Sequence, residues 1–282
     1  MGLPAPPQLG TSMLPPDTYR GKVVMVTGGG TGLGKAMATE FARLGAAVAI
    51  ASRNTEHREN GVRALEELGA QAIGVALDVR DDAAIAMTFD EIEAQLGSVD
   101  VLVNNAAGNF PSQAVKMSAN AWRSVVDIVL NGTFLCSTEF ARRAIEHQVP
   151  GAILNIGATY SWTGGPGTAH SAAAKAGVTN LTQSLAVEWA PKGIRVNCLA
   201  PGLFPHNDLP PVLLARQNPQ ADGQRIPAGR VGRPHELGWA ATYLCSPFAS
   251  YLTGHTLVLD GANWLRRGLS MPDFVPIDEQ FP

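Results

Sequence analysis

The sequence predicts an α/β fold, a doubly wound parallel sheet of about seven strands with helices on both faces. Two observations support this prediction. Short apolar runs typical of buried strands alternate with helix-like segments, without a linker-like break. A glycine-rich turn also separates the first strand from the first helix. We therefore expect one domain over residues 19–265, a proline-rich arm before it (1–18) and a tail after it (266–282).

The composition is that of an ordinary globular protein, with 282 residues, 45% hydrophobic and 16% charged, and a net charge of -3. Because the sequence has no stripe of Lys and Arg to neutralise phosphates, we expect no nucleic-acid partner. No apolar run of about 18 residues occurs and no basic segment precedes an apolar leader, so we expect neither a membrane span nor a secretory signal. The cytoplasm is the expected location.

The cysteines and histidines do not form a metal-binding pattern. Cys136, Cys198 and Cys245 are widely spaced in apolar segments, which favours reduced core thiols over disulfides. The six histidines do not pair with one another or with the cysteines at ligand spacing. We therefore expect no bound metal and a reducing compartment.

The first strand and the turn after it carry the strongest cofactor signal. The apolar run 23–26 predicts a buried strand, and the turn 27–34 leads into a helix that reaches Leu44. Glycines in the turn let the backbone approach a pyrophosphate, which the N–H groups and dipole of the helix N-terminus stabilise. A purely structural turn is the alternative, but the position at the start of a βαβ unit favours a Rossmann-type dinucleotide site. Its candidate contacts are Gly28, Thr31, Gly32, Leu33 and Gly34.

The second strand, 47–51, bears on the choice of cofactor. It ends at Ser52 and Arg53, where an NAD-preferring site usually places an acidic residue against the adenosine ribose. Arg53 instead offers a positive charge for a 2′-phosphate, so we expect NADPH. Two alternatives remain, in which Arg53 is a solvated arginine pointing away or Arg58 shares the task.

The third strand, 72–77, follows a helix that runs through Leu68. It brings Asp78 and Val79 to the edge of the sheet that carries the glycine-rich turn. One interpretation of Asp78 is that its carboxylate caps the helix from Asp81 onward.

The fourth strand, 101–103, delivers Asn105 and Ala106 to this same edge. The amide of Asn105 can either hold the ends of the strands together or contact the cofactor, and both interpretations stay open. A long helix from about 120 to 147 follows, with an apolar face, and it contains Asn131.

The central stretch consists of an apolar strand that ends near Ile156, a loop that carries Tyr160, and a helix that begins around Ser171. Ser171 and Lys175 are one helical turn apart, so both side chains lie on one face. Tyr160 lies at the carboxyl end of the strand, where open α/β sheets bind their ligands. The three side chains are therefore candidates for one site.

The remaining segments close the sheet. A strand at 195–200 is followed by the bend at Pro201 and Gly202. Residues 203–227 are rich in proline and weakly periodic, which is typical of a segment that covers a substrate. A helix at 234–245 and a strand at 256–259 complete the pattern.

These motifs resemble the short-chain dehydrogenase/reductase family, in which a Tyr-x-x-x-Lys pair supplies the proton-transferring tyrosine. Here Ser171 takes the position of that tyrosine, and Ala158, thirteen places earlier, takes that of the catalytic serine. The 2,4-dienoyl-CoA reductase subgroup is similar in placing a tyrosine, here Tyr160, eleven places before a Ser-x-x-x-Lys. The resemblance spans roughly 19–261 and includes two further runs, Asn104–Phe110 and Asp127–Thr133.

The resemblance implies a homotetramer that uses NADPH to reduce an unsaturated fatty acyl-CoA in β-oxidation, most simply a 2,4-dienoyl-CoA to a 3-enoyl-CoA. Hydride would go to the far end of the diene, and electron density would move to the thioester oxygen. Tyr160 and Asn109 would donate hydrogen bonds to that oxygen. Lys175 would bind the nicotinamide ribose, Ser171 would join this network, and Asn131 would hold a water. Further cofactor contacts would be Arg53, Asp78 at the adenine, Val79, Asn105, Ala106, Pro201 and Gly202.

Other functions remain open. A trans-2-enoyl-CoA reductase also lacks the usual tyrosine, and the chain resembles that subgroup at His170-Ser171 and at 186–189. An ordinary ketone or alcohol dehydrogenase would need an acid at Ser171. A protein that binds NADP but catalyses no reaction is the alternative from a different functional class.

Three single-residue assignments also have alternatives. Asn109 could simply form a turn, and Asn131 could be a buried amide. Arg266 and Arg267 could contact coenzyme A or another subunit.

Overall fold

The structure is a computed structural model that describes residues 3–208, 214–215, 217–265, 276 and 279. Its strands are β1 (Val23–Thr27), β2 (Ala47–Ser52), β3 (Ala72–Ala76), β4 (Val99–Asn104), β5 (Gly151–Ile156), β6 (Ile194–Pro201) and β7 (Thr256–Leu259). They form one parallel sheet in the order β3-β2-β1-β4-β5-β6-β7. The predicted fold class is confirmed.

Helices cover both faces of the sheet. The α-helices of the described residues are α1 (Gly32–Arg43), α2 (Thr55–Glu66), α3 (Asp82–Leu96), α4 (Ala119–Val126), α5 (Gly132–Glu146), α6 (Tyr160–Thr163), α7 (Ala169–Trp189), α8 (Pro219–Gln224) and α9 (Pro234–Cys245). Helices α1, α2 and α9 supply buried side chains to the core on one face, and α3, α5 and α7 supply those on the other face.

Successive residues of the central strands point into opposite cores. Val24 and Val26 of β1 pack into the core beneath α1, whereas Met25 packs into the core beneath α3 and α5. Side chains alternate across a strand, so a strand that is covered on both faces must be apolar throughout. This explains why β1 and β2 appear in the sequence as continuous apolar runs.

The order of the strands reverses between β1 and β4, and this reversal positions the site. After β3 the chain returns to the other side of β1, so the loops that follow β1 and β4 diverge and leave a crevice at the carboxyl ends. Asn105 joins the two loops, because its side-chain amide donates to the carbonyl oxygens of Thr27 (2.9 Å) and Gly28 (3.2 Å). The hydroxyl of Thr27 accepts from the backbone N–H groups of Asn105 and Ala106.

The long helix predicted from 120 to 147 differs from the structure in its middle. Helices α4 and α5 are separated by a π-helical turn at Asp127–Asn131. A π turn adds a single residue to one helical turn, so the apolar periodicity on either side still indicates a helix and does not reveal the insertion. The π turn ends at Asn131, the residue that the resemblance places in the catalytic site.

Two smaller expectations also need correction. Tyr160 was expected in a loop, but it begins the short helix α6. Asp81, and not Asp78, caps α3, because the side chain of Asp81 accepts from the N–H of Ala84 at 3.0 Å. The carboxylate of Asp78 is bonded instead to Arg80, which leaves it at the edge of the crevice.

The N-terminal segment runs across the body of the molecule. The N–H of Leu3 donates to the carbonyl oxygen of Ala228 at 2.7 Å, and Arg230 donates to the carbonyl oxygen of Pro4 at 3.0 Å. The side chain of Leu14 is buried in the core beneath α1. The expected role of Arg266 and Arg267 falls outside the described residues.

Several expectations from composition can be compared with the structure. Cys136, Cys198 and Cys245 are free and buried, as predicted. Within the described ranges, no helix combines the length and apolar character needed to cross a membrane. Over the same residues, no group of three or more His, Cys, Asp and Glu side chains is arranged to hold a metal ion.

Candidate active site

A cleft of about 900 Å³ lies at the carboxyl ends of the central strands. The glycine-rich turn forms one wall, and the segments that follow β5 and β6 form the opposite wall. Every residue predicted to contact the cofactor lines this cleft, namely Gly28, Thr31, Gly32, Leu33, Gly34, Arg53, Asp78, Val79, Asn105, Ala106, Lys175, Pro201 and Gly202.

The backbone of the glycine-rich turn is closely packed against its neighbours. A Cβ atom at Gly34 would lie 2.3 Å from the carbonyl oxygen of Gly28 and 2.6 Å from the amide nitrogen of Asn105. Gly32, at the start of α1, has a φ of 53° in the left-handed region that glycine tolerates best. The glycines therefore add no side chain of their own to the turn at the N-terminus of α1.

A carboxylate of the protein occupies this helix N-terminus. Asp208 accepts from the N–H of Gly32 at 2.8 Å and from the ammonium of Lys35 at 2.9 Å. Burial alone would raise the pKa of Asp208, but the bonds from Lys35 and Gly32 hold it below its ordinary value. The turn and Lys35 thus bind an anion here, which is the chemistry that a cofactor diphosphate requires.

The end of β2 presents a positive charge to the cleft. Arg53 lines the cleft, its side chain is 58% exposed, and its guanidinium lies 3.8 Å from the carboxylate of Asp78. Asp78 is already bonded to Arg80, which lowers the pKa of Asp78 to about 2. Arg58 donates to the carbonyl oxygens of Ser52 (2.7 Å) and Arg53 (3.0 Å), so its guanidinium holds the strand end. Arg53 is therefore better placed than Arg58 to meet a phosphate.

Lys175 lies at the floor of the cleft. It is only 7% exposed, and its amine donates to the carbonyl oxygen of Ile156 at the end of β5. Burial lowers the pKa of Lys175 to about 8, although the nearby Cys198 opposes this effect. Among the residues that the structure describes, no carboxylate pairs with Lys175. At neutral pH the site therefore holds a buried cation that is available to a developing negative charge.

Tyr160, Ser171 and Lys175 form the predicted cluster. The hydroxyls of Tyr160 and Ser171 are 3.1 Å apart, and Lys175 follows Ser171 by one turn of α7. Tyr160 lines the cleft, whereas Ser171 is buried and off the lining. Ala158, which also lines the cleft, places a methyl group where the family carries its serine. Of the two hydroxyl-bearing residues, Tyr160 is thus the one that lines the cleft.

The two asparagines predicted to be catalytic lie further out. Asn109 is exposed in the loop after β4 and does not line the cleft. Asn131 is also exposed, and its amide donates to the carboxylate of Asp127 at 2.9 Å across the π turn. The structure therefore groups Tyr160 with Lys175 but leaves Asn109 and Asn131 outside the lining.

His170 is buried next to the cluster and contacts it through the backbone of Ser171. Its Nδ1 atom accepts from the N–H of Ser171 at 2.8 Å, so in the neutral ring the proton resides on Nε2. The imidazole is fully buried, and the ring of Phe110 packs edge-on against it with centroids 4.6 Å apart. This contact joins the loop after β4 to the start of α7.

Sequence reasoning missed several residues of the cleft. His206 and Asp208 lie in the proline-rich stretch after β6, where no periodicity indicates which side chains turn inward. The ring of His206 packs against Gly32, and burial lowers its pKa. His57 lines the cleft from the first turn of α2.

Comparisons with known proteins agree with this geometry. A family model described as "Enoyl-(Acyl carrier protein) reductase" matches residues 28–262. The chain is 43% identical over 246 residues to a "Probable 2,4-dienoyl-CoA reductase", named as (2E)-enoyl-CoA-producing, of Bacillus subtilis (strain 168), with 86% of this chain and 97% of the relative covered. It is 38% identical over 277 residues to the "Peroxisomal 2,4-dienoyl-CoA reductase", named as (3E)-enoyl-CoA-producing, of Pongo abelii, with 94% of each covered.

Solved structures show the same relationship. A short chain dehydrogenase from Bacillus anthracis str. 'Ames Ancestor' superposes with a TM-score of 0.81 at 43% sequence identity. The match covers 88% of this chain and 98% of that one. At this identity and coverage the similarity extends over most of the fold.

Proposed function

The chain belongs to the short-chain dehydrogenase/reductase family of oxidoreductases, and on this premise we propose that it uses NADPH to reduce a 2,4-dienoyl-CoA to a 3-enoyl-CoA. The observation that carries the proposal is the 3.1 Å contact between the hydroxyls of Tyr160 and Ser171 beside the buried Lys175. The phenol comes from the segment after β5, and α7 offers only a serine one turn before the lysine. Relatives from bacteria and animals are named as 2,4-dienoyl-CoA reductases, which supports this reaction.

The residues of the cleft suit a reaction that places negative charge on a thioester oxygen. When bound, the reduced nicotinamide supplies the hydride. Tyr160 donates a hydrogen bond to the thioester oxygen, and Ser171 holds its hydroxyl in place. Lys175 adds a buried positive charge to the same site. Asn109 is proposed as the second hydrogen-bond donor to the thioester oxygen, and Asn131 is proposed to hold a water. The proton that completes the reaction, at the carbon next to the carbonyl, comes from water.

Ordinary carbonyl reduction fits this site less well. It requires an acid at the position of Ser171, and an unassisted serine hydroxyl does not ionise near neutrality. A trans-2-enoyl-CoA reductase is the nearest rival, because it develops the same charge on the same oxygen. The two relatives are named for products with different double-bond positions, so the proposed 3-enoyl product must also be compared with the 2-enoyl product.

One assay separates these functions. Oxidation of NADPH is followed with a 2,4-dienoyl-CoA, a trans-2-enoyl-CoA and a 3-ketoacyl-CoA, and the product of the first is identified by NMR. We expect turnover with the dienoyl-CoA and a 3-enoyl product. Preference for the enoyl-CoA supports the rival reductase, and preference for the ketoacyl-CoA supports an ordinary dehydrogenase. Cofactor binding without turnover of any of the three indicates a silent NADP-binding protein.

Arg53 provides a prediction about the cofactor. Because its guanidinium lines the cleft at the end of β2, we expect NADPH to bind more tightly than NADH by at least about tenfold, or about 1.4 kcal/mol. Calorimetric titration of both cofactors measures this preference, which Arg53→Ala should remove. Arg63→Ala, at an exposed position of α2, serves as a control of equal charge. Equal affinities in the wild type, or a preference that Arg53→Ala leaves unchanged, would contradict the assignment.

Asp208 leads to the opposite kind of prediction, in which a substitution improves binding. Its carboxylate and the cofactor diphosphate compete for the N–H of Gly32 and the ammonium of Lys35. Asp208→Ala should therefore tighten NADPH binding by roughly threefold to tenfold, or about 0.7–1.4 kcal/mol. The control is Glu188→Ala, which removes the same charge from an exposed position of α7. Unchanged or weaker binding in Asp208→Ala would show that the two anions do not compete.

We also propose that the protein acts in the cytoplasm as a homotetramer in fatty acid β-oxidation. Apolar side chains that a single chain leaves exposed support assembly, among them Phe134 on α5 (45% exposed) and Val187 on α7 (80% exposed). Light scattering of the purified protein measures the mass of the assembly. A mass of one chain at micromolar concentration would rule out the tetramer.

A further inference from the structure

Two tryptophans meet next to residues that line the cleft. Trp162 lies on α6, two residues after Tyr160, and its side chain is 45% exposed. Its ring lies 5.3 Å from the ring of Trp264, with a tilt of 35° between the two planes. Trp264 lies in the 3-10 turn after β7, and its backbone N–H donates to the carboxylate of Asp260 at 2.7 Å. The two rings form one apolar surface that remains open to solvent.

The topology places this surface beside the cleft. Trp162 follows β5 and Trp264 follows β7, and β6 lies between these two strands. The contact between the rings therefore spans the carboxyl end of β6, where Pro201 and Gly202 line the cleft. Gly202 is packed so closely that a Cβ atom there would lie 2.4 Å from the Cβ of Asp260. The turn that carries Trp264 thus rests directly on the wall of the cleft.

Two further exposed apolar side chains directly follow residues of the site in the sequence. Leu203 follows Gly202 and is 46% exposed, and Phe110 follows Asn109 and is 37% exposed. An exposed aromatic residue thus lies two residues after the donor Tyr160 and one residue after the donor Asn109. A ligand that fits this arrangement has a carbonyl oxygen at one end and an apolar extension beyond it.

We propose that Trp162 and Trp264 form the wall on which the acyl chain of the substrate lies, so that the pair sets the preference for chain length. This inference rests on the proposed reduction of an acyl-CoA. The phosphates of coenzyme A are too strongly charged to lie on two indole rings, whereas an acyl chain is apolar over its whole length. A fatty acyl chain buries its methylene groups against them, and each buried methylene raises affinity by up to about fourfold.

The test compares substrates that differ only in chain length. We measure kcat/KM for 2,4-dienoyl-CoAs of six, eight and ten carbons with the wild type, Trp162→Ala, Trp162→Phe and Trp264→Ala. In the wild type we expect kcat/KM to rise with length by roughly twofold to fourfold per methylene, mainly through KM. The rise should be nearly absent in both alanine variants and partly kept in Trp162→Phe, while the six-carbon substrate is reduced almost normally. Trp122→Ala, at an exposed tryptophan of α4 (40% exposed), is the control.

A second measurement does not depend on turnover. Calorimetry compares hexanoyl-CoA with decanoyl-CoA, and we expect the wild type, but not Trp162→Ala or Trp264→Ala, to prefer decanoyl-CoA at least tenfold. If no dienoyl-CoA is reduced but the preference for decanoyl-CoA depends on Trp162 and Trp264, the proposed reaction is refuted and the proposed contact between the pair and the acyl chain is supported. If dienoyl-CoAs are reduced but the length dependence is the same in all variants, the reaction stands and the wall is refuted. An equal loss at every length, or no preference for decanoyl-CoA in the wild type, also overturns the inference.

Discussion

Replacing Tyr160 with phenylalanine is expected to lower turnover by about two to three orders of magnitude, or roughly 2.7–4 kcal/mol of transition-state stabilisation. The substitution removes one hydroxyl and leaves the ring in place, so the shape of the cleft changes little. The lost group belongs to the cleft-lining member of the Tyr160–Ser171 pair, and its hydrogen bond to the developing enolate oxygen is lost with it. Affinity for NADPH should hardly change.

Single-turnover experiments with a dienoyl-CoA measure this loss without interference from product release. Ser171→Ala tests the competing idea that the serine itself is the acid, because that idea predicts severe damage in Ser171→Ala and mild damage in Tyr160→Phe. If Ser171 only holds the tyrosine, its removal should cost less than removal of the phenol. Tyr251→Phe, at a fully exposed tyrosine, is the matched control. A near wild-type rate in Tyr160→Phe would show that Tyr160 is not the required donor. The remaining candidates would then be Asn109, His170 and Ser171.

Lys175→Met should have the second large effect, because it removes a buried cation from the same site. We expect NADPH affinity to fall by at least tenfold and turnover by roughly a hundredfold. Lys192→Met, at an exposed lysine, controls for the change in net charge. Normal cofactor binding in Lys175→Met would contradict the role of Lys175 at the nicotinamide ribose.

The dependence of the rate on pH tests the charge of Lys175 directly. Because burial lowers its pKa to about 8, the free protein carries the cation below that pH and loses it above. The wild-type kcat/KM should therefore decline as pH rises through about 8, since this parameter reports ionisations of the free protein. Lys175→Met should lack that decline. A wild-type profile that stays flat to pH 9.5 would show that the cation is not required.

The same lowered pKa predicts how stability changes with pH. Below pH 8 the folded and unfolded chains both carry the proton, so the cost of the buried cation is fully present. Between about 8 and the ordinary value of 10.5 the unfolded chain binds more protons, and the free energy of unfolding rises with pH. Lys175→Met should thus stabilise the cofactor-free protein at pH 7 by up to roughly 3 kcal/mol, and by less at pH 10. Urea unfolding at the two pH values measures this difference, and an equal effect at both would contradict it.

Much of the fold follows from local pattern. Helix α9 and strand β7 have the predicted bounds, Pro234–Cys245 and Thr256–Leu259. A proline at the first helical position and a short apolar run after Gly254 are signals that act over a few residues, so neighbours in sequence decide them. The glycine-rich turn is equally local, since its close backbone approaches require glycine wherever the turn lies.

The cleft was predictable to the extent that it is built from strand ends. Apart from Lys175, in the second turn of α7, the predicted cofactor residues lie at or just after a strand end or at the start of α1, and the parallel sheet brings these ends to one edge. Tyr160 and Ser171 could be paired from their spacing and from the resemblance to a known family. Their contact also needs the turn of α6, which the sequence pattern did not indicate.

Only the tertiary structure decided the contacts between loops. Asp208 meets the start of α1, Trp162 meets Trp264, and His170 meets Phe110, although each pair lies far apart in the chain. The π turn at Asp127–Asn131 was likewise visible only in the structure. A single added residue does not disturb the apolar periodicity of the flanking helices, so the sequence pattern does not reveal it. Periodicity and turn chemistry act over a few neighbouring residues. Contacts between the ends of different strands depend on the order in which the sheet assembles those strands, and no local pattern encodes that order.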